Sequence, residues 1–152
     1  MSFKEPYSKG SFEHPVIMKT DDAIMALASE MLTKKSALLK KYDLSFQQYT
    51  ILRTLIITEG KPASIKSLTE EMLDKMSNTS RLVTKLEKKG FVDRKISATD
   101  RRQVAVVITE TGENIFKEAV EELNKVIFSA YQSLDDAELT TLLKSLQKLK
   151  DY

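Results

Sequence analysis

The chain has 152 residues, 41% hydrophobic and 30% charged, which are ordinary proportions for a globular protein about one domain long, so wholesale disorder is excluded. Cysteine is absent, which excludes disulfides, thiolate metal sites, cysteine nucleophiles and thiol-based sensing. The net charge of +2 hides an uneven distribution, because residues 75–109 hold nine basic side chains against three acidic and residues 110–152 hold five against nine. Such a central basic stretch suits a surface that meets a polyanion, and equally a charge run spread over a solvated face.

Residues 1–19, with Pro6, Gly10 and Pro15 among polar residues, read as an arm without a core pattern. Asp21–Asp22 suit a helix N-terminus, and Ile24, Leu27, Ala28, Met31, Leu32, Leu38 and Leu39 recur at helical spacing, so a long helix is expected to end near Tyr42. Ser45 suits an N-cap for a second helix with Phe46, Tyr49, Leu52, Leu55 and Ile56 on its apolar face, closed by Gly60–Lys61–Pro62. Ser64 heads a short third helix with Ile65, Leu68 and Met72 inward. After the Asp74–Lys75 turn, Ser77 is expected to cap a fourth helix with Leu82, Val83 and Leu86 inward, ending at Gly90 in a left-handed C-cap. Two short helices joined by a tight turn form a helix-turn-helix candidate.

The period then changes to that of strands. Phe91–Ile96 and Gln103–Ile108 are β-rich runs separated by the polar segment Ser97–Arg102, which predicts a two-stranded hairpin with a basic tip. Thr109 is placed to cap a long fifth helix with Phe116, Ala119, Leu123, Ile127, Ala130, Tyr131 and Leu134 on one side. Asp135–Asp136 open a sixth with Leu139, Leu142, Leu143, Leu146 and Leu149. The apolar stripes of the first, fifth and sixth helices suit core or dimer packing better than a ligand box. The expected fold is mainly α with a small β-hairpin wing, a winged helix-turn-helix lobe on a helical base.

Function is expected in the fourth helix. With its apolar stripe inward, Ser77, Asn78, Ser80, Arg81, Thr84, Lys85 and Lys88 share the outer and flanking surface, which offers donors to guanine edges and phosphates in a major groove. An ordinary solvated helix face would also look like this, but Arg81 lies one turn inside the helix, where recognition side chains reach base edges. At the hairpin tip, Asp100 and Arg101 can hold the turn while Arg102 enters the minor groove; Arg101 is also a candidate DNA contact.

The runs Leu44–Arg53, Ser80–Val92, Asp100-Arg101-Arg102 and Ile108-Thr109-Glu110-Thr111-Gly112 together resemble the multiple-antibiotic-resistance regulator (MarR) family over about residues 20–150. The resemblance implies a homodimeric transcriptional regulator, usually a repressor, that binds a palindromic operator and is often released by a small aromatic or phenolic effector. It implies one winged lobe, residues 43–109, between two parts of a dimerisation base, residues 1–42 and 110–152, in a single domain spanning 1–152. Arg81 matches the family's recognition-helix arginine and Arg102 its wing-tip arginine, while Ser77, Asn78, Thr79 and Lys85 fall where sequence preference is set. The family's peroxide-sensing branch needs a cysteine and its zinc-sensing branch several histidines, whereas this chain has no Cys and only His14.

A sensing pocket between base and lobe would draw on Tyr42, Phe46, Tyr49 and Arg53, since aromatic walls with one cation suit an aromatic carboxylate; all four also suit plain core and interface roles. His14 reads as a surface residue. No nucleophile elbow or phosphate-cradling glycine loop is present, so no enzyme, cofactor or metal site is expected. No apolar run reaches about 18 residues and the N-terminus lacks a secretion-signal core, so a soluble cytoplasmic protein is expected. The competing expectation is a helical adaptor whose basic lobe binds an acidic protein.

Overall fold

The computed structural model describes residues 15–76, 78–96 and 104–150. The chain divides into two compact units, with the boundary between Lys34 and Lys35. Helix α1, Pro15–Leu39, runs through that boundary and starts well before the expected Asp21–Asp22. A proline without an N–H is tolerated in a first helical turn, where that donor would have no partner, so Pro15 begins the helix instead of extending the arm. The portion of α1 in the first unit exposes Val16, Ile17, Met25, Leu27 and Leu32.

In the second unit, a 3-10 turn at Lys40–Tyr42 leads to Asp43, whose left-handed φ of 53° redirects the chain into α2, Phe46–Ile57. The start of α2 is fixed reciprocally: the Gln48 amide donates to Ser45 Oγ at 3.1 Å and the Ser45 amide donates to Gln48 Oε1 at 3.1 Å. Gln48, Ile51, Leu52 and Leu55 then line up on the buried face. Ser64 caps α3, Ile65–Glu70, as expected.

The cap of α4, Thr79–Lys88, differs from the expectation. Asn78 Oδ1 accepts from the Arg81 amide at 3.0 Å, so the cap is Asn78 and not Ser77. Both residue types cap well, and spacing alone does not separate neighbours. Gly90, at φ +72°, ends the helix in the left-handed conformation that favours glycine.

The wing is larger than a hairpin. β1 (Ala63–Ser64), β2 (Val92–Ile96) and β3 (Val104–Ile108) form an antiparallel sheet in the order β1-β3-β2, with Ala63 opposite Val106 and Arg94 also opposite Val106 on the other side. A two-residue strand has no period to detect, so β1 is invisible until β3 offers it hydrogen-bonding partners.

α5, Glu110–Tyr131, is capped by Thr109, whose Oγ1 also donates to the Gly90 carbonyl at 2.6 Å. Its first turn lies so close to the wing that a Cβ on Gly112 would fall 2.1 Å from the Phe91 carbonyl oxygen. α6, Asp136–Lys150, opens with a reciprocal cap between Asp135 and Glu138. One core joins Leu39, Leu52, Leu68, Val83, Leu86, Val92, Val106 and Leu123. Among the described residues, no helix is long and apolar enough to cross a membrane.

Candidate nucleic-acid interface

Successive residues of a helix turn by about 100°, and α4 uses this to sort its side chains into three stripes. Thr79, Val83 and Leu86 form the buried one. Thr79, which the family resemblance places where sequence preference is set, is therefore buried: its hydroxyl shares a 2.8 Å hydrogen bond with the Thr69 hydroxyl and ties α4 to α3. Ser80, Thr84 and Glu87 form the second stripe, which faces β2. Arg94 Nη2 donates to the Ser80 carbonyl at 3.0 Å and to Thr84 Oγ1 at 2.7 Å, and Arg94 Nε stands 3.6 Å from Glu87 Oε2. Thr84 is accordingly half-buried and engaged within the lobe, while the Ser80 side chain is exposed.

Arg81, Lys85 and Lys88 form the third stripe. All three are exposed, and their side chains make no hydrogen bond or ion pair with the described residues. Three neighbouring cations at i, i+4 and i+7 repel one another, so their common face is stabilised by an external anion. Asn78 is exposed beside them, with its Oδ1 committed to the cap. From α2, Ser45 and Gln47 join Asp74, Asn78, Arg81 and Lys85 around a recess of about 460 Å³. The sequence assigns that end of α2 a cap, core positions and effector candidates, and does not single out Gln47, whose place beside Arg81 depends on how α2 packs on α4. Ser77, Arg101 and Arg102, with Asp100 and His14, lie outside the described residues.

The last turn of α4 is anchored elsewhere. Lys89 Nζ lies 3.0 Å from Asp43 Oδ2 and also donates to the Asp43 carbonyl, joining the end of α4 to the turn before α2. A cavity of about 310 Å³ lies at this joint, with Lys40, Phe46, Gln47 and Lys89 in its wall. Of the four candidate effector residues, only Phe46 belongs to that wall. Tyr49 stacks on Phe116 with ring centroids 5.3 Å apart, and Phe46 leans on Tyr49 at 6.2 Å. Burial pushes the Tyr49 phenol above its ordinary pKa, against the opposing charge of Arg53. Tyr42 packs against the core and Arg53 is exposed on α2, so the four do not enclose one cavity.

At the far end of the unit, Ile127, Phe128, Leu139, Leu142, Leu143 and Leu146 line an open groove of about 920 Å³ between α5 and α6.

Residues 33–119 match the family described as transcriptional regulator SarA/Rot. The chain is 29% identical over 120 residues to the HTH-type transcriptional regulator SarZ of Staphylococcus haemolyticus, covering 79% of each protein. Its fold is similar to that of the organohalide-sensing RdhR transcriptional regulator crystallised with 2,4-dichlorophenol, at a TM-score of 0.80 and 21% identity over 99% of this chain and 88% of that one. It is also similar to Staphylococcus aureus MepR in complex with DNA, at a TM-score of 0.75 and 17% identity over 85% and 92% of the two chains.

Proposed function

The chain belongs to the SarA/Rot family of transcriptional regulators, and from that premise we propose that it binds a specific double-stranded DNA sequence by laying the Arg81–Lys85–Lys88 face of α4 in the major groove. The observation that supports this most directly is the contrast between stripes: every cation on the outer one is exposed and uncommitted to the described residues, while the Thr84 hydroxyl and Glu87 carboxylate of the second are turned to Arg94 within the lobe. Arg101 and Arg102, which lie between β2 and β3 in sequence, and Ser80, with Ser77 preceding it in sequence, would add backbone and minor-groove contacts. In this reading Thr79 and Thr84 serve the lobe, since their hydroxyls have partners on α3 and β2.

Selection of genomic fragments with purified protein, followed by gel shifts, tests the reading. Arg81→Ala should weaken binding to the selected fragment by about 1–3 kcal/mol per half-site while leaving the fold intact. A change smaller than threefold in a folded variant would remove α4 from the interface. DNA binding should fall steeply with salt, and the absence of any specific duplex binding would point to the adaptor reading instead.

The regulator acts, in this proposal, as a homodimer over a palindromic site, since α6 has no buried residue and its leucines line the groove shared with α5. Light scattering at micromolar concentration tests the dimer. A repressor released by a small aromatic or phenolic effector is the regulatory mode we favour. Similarity to a regulator solved with 2,4-dichlorophenol supports it, as does the cavity where Phe46, Lys40 and Lys89 meet.

A further inference from the structure

Alternation along β2 places Arg94 on the same side as the buried Val92, and a charged residue at such a position needs partners. The partners it finds are all on one stripe of α4: the Ser80 carbonyl, the Thr84 hydroxyl and the Glu87 carboxylate. The Arg81–Lys85–Lys88 stripe lies one residue further round, about 100° away. Turning α4 by that amount would carry the basic face into the wing strand. The buried Val83 and Leu86 forbid a turn of that size, but hydrophobic attraction has no preferred direction and leaves smaller rotations to be fixed by hydrogen bonds, which tolerate little misalignment. The Arg94 backbone is itself held in register opposite Val106, so the guanidinium grips α4 from a fixed point. Its buried Nε has no hydrogen-bond partner, and Glu87, at 3.6 Å, stands just outside bonding distance.

We propose that Arg94 is a positioning residue for sequence recognition, locking the rotation of α4 against the wing so that Arg81, Lys85 and Lys88 meet base edges in register. The proposal rests on the reading of α4 as the recognition helix. Arg94 itself is not required to touch DNA.

The test uses the full chain, with a fragment recovered by genomic selection and a scrambled duplex of equal length as probes. Arg94→Lys retains the charge but not the two-bond grip of Nη2. It should lower affinity for the selected fragment about tenfold, the cost of one mismatched base pair, while affinity for the scrambled duplex and the salt slope stay unchanged. Amide hydrogen exchange within 81–88 should quicken in the free protein. Thr84→Val, which removes one acceptor without changing shape, should act in the same direction by roughly threefold. Equal losses on both duplexes with a shallower salt slope would overturn the proposal in favour of a phosphate contact. A lower melting temperature with unchanged discrimination would make Arg94 an ordinary structural residue. If the wild type itself fails to discriminate, the recognition-helix reading falls and takes this role with it; a discriminating wild type alongside an equally discriminating Arg94→Lys sinks the positioning role alone.

Discussion

Helices α4 and α6 both have an apolar stripe, but only one of them is covered by its own chain. In α4, Val83 and Leu86 are fully buried against α2, α3 and β2, and polar groups on the next stripe are bonded to the wing. In α6 no residue is buried: Leu143 is 57% exposed, and Phe128 facing it from α5 is 76% exposed. Amphipathic spacing is therefore a statement about what a helix needs, while closure depends on which neighbours the fold supplies. The winged lobe is complete within one chain. The α5–α6 end has the composition of half a core, and in our proposal a second copy supplies the other half.

Charge placed in the α5–α6 groove is expected to have the largest effect. Leu142→Glu with Leu146→Glu should convert the dimer to a monomer by light scattering. It should also reduce operator affinity by about 10²–10⁴, the avidity a second half-site contributes, with the lobe still folded by circular dichroism. A dimer that survives both charges would show that α6 is not the interface. Leu86→Ala probes the closed side and should cost about 2–5 kcal/mol in urea unfolding, because it leaves a cavity inside one chain. That loss should not depend on protein concentration, whereas the stability of the dimeric end should. The smallest effect sharpens the local end of the argument: Ser45→Ala removes one half of the α2 capping box and should cost about 1 kcal/mol in the same assay.

What could be read from sequence was what local chemistry dictates. Ser45, Ser64 and Thr109 cap helices because their hydroxyls reach an amide three residues on, and Gly90 ends α4 because the backbone there needs a positive φ. The inward set Leu82, Val83 and Leu86 followed from helical period alone, with Leu82 only partly buried at the edge of the core. Features that depend on a distant partner were not legible: β1 exists only beside β3, and the hydroxyl that satisfies the inward Thr79 comes from Thr69 on another helix. Arg94 is intermediate. Its place in the alternation of β2 hinted at an inward charge, yet nothing in the spacing named Ser80, Thr84 and Glu87 as its partners. The effector candidates scattered for a related reason, since aromatic residues near one another in sequence, such as Tyr42 and Tyr49, fall on different faces of a turn and a helix.

The close approach at Gly112 has a mechanical consequence. Where side chains meet, a rotamer change can absorb a displacement; at Gly112 the first turn of α5 rests directly on the Phe91 carbonyl, and the Thr109 amide donates to that same oxygen at 3.1 Å. The joint has no slack. The first turn of α5, a helix of 22 residues, therefore cannot move toward the sheet without displacing the carbonyl that leads into β2.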